Sequence, residues 1–177
     1  MKKRNNILTY ISMLALSLCV LVSGVYAAKN SSMTSSGSVS FTAANCDVAI
    51  TSITSNGYHE SSTINALSSE LHLVSKGSTT SKSHALGTLY FDDVTSTGDS
   101  VKDITIAIVV KNYSSFSIKV TSKGDKNETN YQITTDKTTA VTVASNATTT
   151  VNVTLHCKAT NSFNAADFSI GISCVKA

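Results

Sequence analysis

Apolar and polar residues alternate in ten short runs of the chain after residue 38. Alternation with a period of two is typical of β-strands that bury one face and expose the other. The runs with this pattern are residues 39–43, 46–50, 70–75, 86–91, 103–112, 116–120, 131–134, 140–143, 151–157 and 168–174. They predict roughly eight to ten short strands separated by polar connections.

The run 103–112 is the strongest of these. Four β-branched residues share one of its faces: Ile104, Ile106, Ile108 and Val110. Ala107 and Val109 make the other face apolar too, which predicts a central strand covered on both sides. The four residues 112–115 then suit the loop of a β-hairpin leading into the next run.

The connections between the runs are less regular. The alternation changes parity at Ala44-Asn45, which predicts a β-bulge or a break between two strands. The polar stretches 76–83 and 92–100 predict loops, whereas residues 63–71 suit either a short helix or an irregular segment. No amphipathic helix pattern follows the first 28 residues. We therefore expect an all-β fold, an antiparallel β-sandwich of the immunoglobulin-like or the jelly-roll type.

The first 27 residues have the three parts of an export signal. Lys2, Lys3 and Arg4 precede an apolar run over residues 7–22, and small residues lead to Ala27, after which we expect cleavage. Because residues 7–28 are long enough to cross a bilayer, an uncleaved membrane anchor is the alternative. Residues 28–38 are polar and rich in Ser, which predicts a flexible tether, and residues 39–177 form one β-sandwich domain.

The net charge of the chain outside the predicted signal differs from that of the full chain. The formal net charge is +3, and the three positive residues of the signal account for all of it. The rest of the chain is neutral overall and contains no Arg, which argues against nucleic-acid binding. A low charge together with many Ser and Thr residues suits an extracellular surface and favours self-association.

Three cysteines remain outside the signal: Cys46, Cys157 and Cys174. Each falls on the apolar phase of its strand, so each is predicted to face the core. Cys157 and Cys174 lie on either side of a predicted turn, and a disulfide between them would stabilise the fold by about 3 kcal/mol. The pairings 46–157 and 46–174, or three free thiols, are the alternatives.

No motif predicts catalysis. The chain has no Gly-x-Ser-x-Gly elbow, and His59-Glu60 is not followed by the second His of a zincin motif. His156 alternates with core residues and is expected to face outward. We therefore expect no enzyme activity, no zinc site and no cofactor.

The acidic cluster comprises Asp92, Asp93, Asp99 and Asp103. Carboxylates from two neighbouring loops can supply the oxygen ligands of calcium, so these four residues are the candidate metal ligands. The alternative is a solvated turn, in which Asp is favoured by local hydrogen bonds.

Four segments carry a family resemblance: residues 14–28 of the signal (LALSLCVLVSGVYAA), residues 38–44 (SVSFTAA), residues 103–112 (DITIAIVVKN) and residues 147–155 (ATTTVNVTL). They resemble small exported Firmicutes proteins with a SipW-type signal peptide, and more distantly the TasA fibre subunits and the camelysins. The resemblance implies a sandwich domain located in the cell envelope or the matrix. The resemblance assigns no functional residue to this chain. Camelysin is described as a peptidase, but no motif in this sequence supplies a metal site for such an activity.

Together these features favour a secreted or cell-surface structural protein of a Gram-positive envelope or matrix. The strand 39–43 is expected to promote self-association by strand addition, and the membrane is expected to be contacted only through the N-terminal segment. The alternative is an adhesin-like module that binds glycan or protein, for which Tyr58 and Tyr113 in predicted loops are the aromatic candidates.

Overall fold

A computed structural model of the protein describes residues 32–56, 63–92, 103–124, 131–157, 163–164 and 167–177. The predicted signal, the cleavage position at Ala27 and the start of the predicted tether lie outside these residues. Within them every regular element is a β-strand. The described residues include no helix that is long and apolar enough to span a bilayer.

The strands follow one another in this order: β1 Ser32–Ala44, β2 Asp47–Asn56, β3 Thr63–Ile64, β4 Leu71–Val74, β5 Thr79–Asp92, β6 Ile104–Asn112, β7 Ile118–Gly124, β8 Tyr131–Thr135, β9 Val141–Val143, β10 Thr148–Cys157, β11 Phe163–Asn164 and β12 Phe168–Lys176. They confirm the all-β prediction.

The strands form two packed sheets. Sheet A has the order β3-β5-β1-β12-β7-β9, with β11 also paired to β1, and sheet B has the order β4-β2-β6-β10-β8. From β1 to β11 the odd-numbered strands lie in sheet A and the even-numbered strands in sheet B. Successive strands therefore lie on opposite sides of the core, and the connections between them pass from one sheet to the other.

The first and last strands lie side by side in the middle of sheet A. β1 pairs with β12 in parallel, with Val39 opposite Ile170 and Phe41 opposite Ile172. The prediction of a wholly antiparallel sandwich is therefore wrong at this pair. A parallel pair needs a long connection between its strands, and here nearly the whole domain supplies it.

The core lies between the two sheets and is formed by the predicted alternating residues. Sheet A contributes Val39, Phe41, Ala43, Ile170 and Ile172, and sheet B contributes Ile50, Ile106, Ile108, Val151 and Val153. Buried and half-buried residues alternate along the whole of β6, which lies between β2 and β10. The prediction that this strand is central is confirmed.

The predicted tether is wrong for residues 32–38, because they form the first half of β1 and pair with β5. The sequence pattern did not reveal this strand because its buried positions include Ser35 and Gly37 instead of large apolar residues. On the inner face, Gly37 leaves room for the ring of Phe168, whose Cζ would lie 2.2 Å from a Cβ at that position. The domain therefore begins at least as early as Ser32.

Two further connections differ from prediction. The loop predicted over residues 76–83 is wrong from Thr79 onward, since β5 begins there and pairs with β1. The hairpin predicted around residues 112–115 is also wrong, because β6 and β7 belong to different sheets and this connection crosses the core. The break predicted at Ala44-Asn45 is confirmed: Asn45 has a φ of 54°, and the chain passes there from sheet A to sheet B.

Gly87 marks an irregularity in the pairing of β5 with β1. The register shifts between Gly37, which lies opposite Gly87, and Ser38, which lies opposite Ala85. Gly87 has a φ of 98°, and a Cβ added there would lie 2.0 Å from the carbonyl oxygen of Thr63. Only glycine fits this position, because both the backbone conformation and the neighbouring strand exclude a side chain.

We expect Gly87→Ala to lower the free energy of unfolding by about 3 kcal/mol, from left-handed strain plus displacement of β3. Gly77→Ala is the matched control, since Gly77 has a φ of 80° but nothing within 4 Å of the added Cβ. It is expected to cost only about 1 kcal/mol. Urea unfolding measures both values, and equal losses would contradict the steric argument.

Asp136 ties the end of β8 to β10. Its Oδ1 accepts a hydrogen bond of 2.9 Å from the backbone N–H of Asn152, and its Oδ2 accepts bonds of 2.9 Å from the Asn152 side-chain amide and from Lys137. Burial alone would raise the pKa of this carboxyl, but these hydrogen bonds outweigh burial and hold the pKa below its usual value. The folded state therefore favours the charged form.

This lowered pKa predicts a stabilisation that is present above about pH 4 and is lost as the pH falls through the folded-state value. Asp136→Asn should cost about 1 kcal/mol at pH 7 and less at pH 3. Urea unfolding at the two pH values measures this difference. Asp167→Asn, at an exposed position before β12, is the control and should change stability little at either pH. A pH-independent loss in the Asp136 variant would contradict the assignment.

Candidate functional site

An open groove of about 620 Å³ lies at one end of the sandwich. Three segments of chain line it: the β1–β2 corner at Asn45–Asp47, the end of β4 with Ser75 and Lys76, and the β6–β7 connection over residues 113–116. Lys176, near the C-terminal end of β12, closes the fourth side. The groove exists because several crossings between the sheets meet at this end.

Asn112 holds the β6–β7 connection in place. It is fully buried, and its side-chain amide donates to the carbonyl oxygens of Phe116, Val143 and Ala144 at 2.8, 3.2 and 2.9 Å. Its Oδ1 accepts from the backbone N–H of Ser114 at 2.9 Å, which closes a tight turn. One buried side chain thus bonds to backbone groups of both the β6–β7 and the β9–β10 connections and holds these two segments together.

Tyr113 lies at the centre of a polar cluster beside the groove. Its hydroxyl lies 3.0 and 2.8 Å from the two carboxylate oxygens of Glu70 and donates to them. The His72 ring packs against the Tyr113 ring with centroids 5.2 Å apart, and the Lys111 ammonium lies 4.4 Å from the Tyr113 centroid. Asp47 in turn binds Nε2 of His72. The cluster is exposed and presents charged groups of both signs around one aromatic ring.

The opposite side of the groove is built from the chain's C-terminal end. The Lys176 ammonium lies 4.8 Å from the centre of the Phe116 ring, and the backbone N–H of Ala177 donates to Ser117 at 3.1 Å. The hydroxyl of Ser114 accepts from the backbone N–H of Asp47 at 2.8 Å, which joins the β1–β2 corner to the β6–β7 connection. The groove can therefore offer hydroxyl, amide and ammonium donors beside two aromatic rings.

A second open depression, of about 550 Å³, lies on the outer face of sheet A. It is lined mainly by small side chains of three adjacent strands: Ser40, Thr42, Thr121, Gly171 and Ser173. Acidic and aromatic residues are absent from this lining. It is a nearly uncharged hydroxyl surface, and Lys123 is the one charged residue that borders it.

Asp103 is the one predicted calcium ligand whose side chain the structure describes, so the calcium site stays a prediction. Asp93 and Asp99 lie outside the described residues, and Asp92 is the last residue of β5, with a side chain that is not described. Asp103 instead binds Nδ1 of His156 at 2.6 Å. The described residues contain no group of three or more His, Cys, Asp or Glu side chains placed to hold a metal ion.

His156 and Asp103 are arranged like the His and Asp of a Ser-His-Asp catalytic triad. An Asp that binds Nδ1 fixes the imidazole tautomer and leaves Nε2 available as a base. A triad also needs a hydroxyl or thiol nucleophile beside Nε2, and no hydrogen bond between described residues joins Nε2 to one. Both side chains are about half exposed, at 45% and 50%. The pair links the end of β10 to the start of β6.

Cys174 is a free, buried thiol in this structure, so the predicted Cys157–Cys174 disulfide is not formed in it, and the strand order does not favour that pairing. The prediction placed the last two long strands beside each other, but β10 lies in sheet B and β12 in sheet A. Cys157 lies opposite Tyr131, whereas Cys174 lies opposite Val120 and Ala43. The prediction that Cys46 and Cys174 face the core is confirmed.

Sequence reasoning singled out Tyr113 but missed the residues around it. Asp47, Glu70, His72 and Lys111 are scattered over 64 positions between residues 47 and 111, and no local motif joins them. The pairing of β2 with both β4 and β6 places Ala49 opposite His72 and opposite Lys111. A signal for this cluster exists only in the strand register, which alternation by itself does not determine.

The comparisons with known proteins do not identify the chain. No protein-family model matches it, and no curated protein matches it in sequence. Conclusions about function therefore depend on the residues and their geometry.

We expect Asn112→Asp to lower the free energy of unfolding by about 3 kcal/mol or more. A carboxylate oxygen would face three carbonyl oxygens that now receive hydrogen bonds, and a buried group without a partner costs about 1–3 kcal/mol before charge is counted. Asn146→Asp is the matched control because Asn146 is exposed, has a φ of 58°, which Asp also tolerates, and donates from its side-chain amide to the hydroxyl of Ser145. Thermal and urea unfolding measure both, and a near-neutral Asn112→Asp would contradict the assigned role.

Proposed function

We propose that this protein is a non-catalytic structural component of a Gram-positive cell envelope or extracellular matrix, and that its copies associate by strand addition. The export-type N-terminal sequence and the resemblance to small exported Firmicutes proteins support the location. The observation that carries the proposal for association is a long unpaired edge on strand β5.

Residues 79–85 of β5 have only one neighbouring strand among those described. β3 pairs with β5 only at Thr63–Thr88 and Ile64–Gly87, so no described strand pairs with residues 79–85 on that side. The side chains of Lys82 and His84 bond there to the carbonyl oxygens of His72 and Asn65. Most side chains along this edge are exposed, and Lys82 is its one fully charged residue. Natural sheets block such edges with charges, proline or bulges. Here Lys82 and the register shift near Gly87 protect the edge only in part, so the exposed stretch between them is the template proposed for another strand.

The acceptor in this proposal is β5, and the donor is not the strand 39–43. β1 is paired on both sides, with β5 and with β12, and Val39, Phe41 and Ala43 are fully buried. Removing it from its own sheet would expose these residues to water. Two copies that align their β5 edges around a two-fold axis would instead extend sheet A without disturbing either core.

The strand order supports the jelly-roll type of sandwich over the immunoglobulin-like type. Immunoglobulin-like sheets keep several successive strands together, such as A with B and F with G. Here successive strands from β1 to β11 alternate between sheets A and B.

The low charge of the domain supports close approach of copies. Outside the signal the formal charge is zero, so little electrostatic repulsion opposes association. The outer face of sheet A carries small hydroxyl side chains, which do not obstruct a strand added at its edge.

We expect the purified exported protein to associate in a concentration-dependent way, and the double variant Ser81→Lys/Ser83→Lys to weaken association at least about tenfold. Both positions are exposed on the β5 edge, where like charges on two copies would face each other. Thr138→Lys/Thr139→Lys adds the same charge at exposed positions away from that edge and serves as the control. Sedimentation velocity and negative-stain imaging provide the measurement.

An outcome in which wild-type protein stays monomeric at about 100 μM, well above the usual range of specific association, would contradict the proposal. Equal association of the edge variant and wild type would show that β5 is not the contact. Retained thermal unfolding midpoints in both double variants exclude misfolding as the cause of a loss.

The second candidate function is an adhesin-like binding module, and the Tyr113 cluster favours it. Its aromatic ring, paired charges and adjoining groove suit a polar ligand such as a glycan. Retention of monomeric protein on immobilised glycans, lost in Tyr113→Ala, would favour this function over the structural role.

A further inference from the structure

Two buried thiols meet where the first strand of the domain ends and the last strand runs past it. Cys46 follows the Asn45 corner between β1 and β2, and Cys174 lies in β12 opposite Ala43 of β1. The thiol of Cys46 donates to the backbone carbonyl of Cys174, with 3.5 Å between sulfur and oxygen. The two residues are 3% and 0% exposed, and both face the core.

We propose that Cys46 and Cys174 form a disulfide when the protein folds in an oxidising environment, and that this bond joins the β1–β2 corner to the C-terminal strand. The proposal is independent of the proposed function, since it concerns a covalent link within one chain. It replaces the pairing that the sequence favoured with the pairing that the fold brings together.

Backbone topology favours this pair over the other two. Cys174 and Cys157 belong to strands of different sheets, and the register of β10 places Cys157 opposite Tyr131 of the edge strand β8. Cys46, by contrast, already contacts the backbone of Cys174. A disulfide requires the two Cβ atoms to lie about 3.5–4.5 Å apart, so the two side chains must turn towards each other for the bond to form.

The position of this disulfide in the sequence predicts a large effect on stability. The two cysteines are 128 residues apart in sequence, so a bond between them would close nearly the whole domain into one loop. Closing a long loop restricts the unfolded chain most, which raises stability. The bond would also hold together the two chain ends that pair in the centre of sheet A.

The chemistry requires an oxidant, which a small-molecule or protein disulfide supplies by exchange. The Cys46 thiolate attacks one sulfur of the oxidant, forms a mixed disulfide and releases one thiolate, which takes up a proton. The Cys174 sulfur then attacks the Cys46 sulfur and releases the second thiolate, which is protonated in turn. Two protein thiols are oxidised, and one disulfide is reduced to two thiols.

Burial determines when this exchange takes place. Burial, and secondarily the neighbouring Cys46, raise the pKa of Cys174 to about 12, and burial also raises the pKa of Cys46. Because the thiolate is the reactive form, folded and reduced protein should exchange slowly. The bond therefore forms during folding, before the two sheets close over the thiols.

Tryptic cleavage separates every cysteine of the chain. Cys19, Cys46, Cys157 and Cys174 fall in residues 5–29, 30–76, 138–158 and 159–176, between Lys and Arg sites. The full chain is refolded with reduced and oxidised glutathione, alkylated in denaturant so that buried thiols are accessible, digested without reduction and analysed by mass spectrometry. We expect peptide 30–76 linked to peptide 159–176.

Two variants sharpen the test. Cys157→Ala should retain the link and the difference in unfolding temperature between oxidised and reduced protein, about 10 °C. Cys46→Ala should lose both, and alkylation should then label Cys174. A link that involves residues 138–158, or alkylated Cys46 and Cys174 in oxidised wild-type protein, would overturn the proposal. If Cys46→Ala fails to fold, the wild-type peptide map alone decides.

Discussion

The parallel pairing of β1 with β12 is the constraint on which the rest of this fold depends. It places both ends of the domain in the middle of sheet A, so β5 and β7 pair with strands from opposite ends of the sequence. Two central strands that are remote in sequence can pair only by closing a loop that contains nearly the whole domain. Such long-range pairing carries a high loop-closure cost, which the shared core of Phe41, Ile170 and Ile172 must offset.

The connections that cross between the sheets pass the end of the core. Their backbone polar groups must therefore find hydrogen-bond partners there. Asn112 meets this requirement at the groove end, where its single amide satisfies carbonyl groups from two separate connections. The same turn presents Tyr113 to solvent and sets the floor of the groove. A stabilising interaction and a candidate binding surface therefore arise from one buried residue and the residue that follows it.

The surfaces proposed to take part in function lie at the edges and ends of the two sheets. The β5 edge is open because β3 covers only two of its residues, and the Tyr113 cluster forms where β2, β4 and β6 end together. Cys46 and Cys174 meet at the corner where β1 leaves its partner. Each of these places joins segments far apart in the chain, and together they connect the central pairing of sheet A to the surfaces available for assembly or binding.

The sequence by itself determined the all-β class, the central position of β6, the break at Ala44-Asn45 and the inward direction of Cys46 and Cys174. Local alternation encodes these features because a strand's own side chains report which face is buried. Only the tertiary structure decided which strands pair, and it overturned the hairpin after Asn112 and the tether up to Ser38 and does not favour the Cys157–Cys174 pairing. The Tyr113 cluster was likewise invisible in the sequence. The physical reason is that alternation shows which face of a strand is buried but not which strand pairs with it. Strand pairing here depends on core packing between segments from the whole chain.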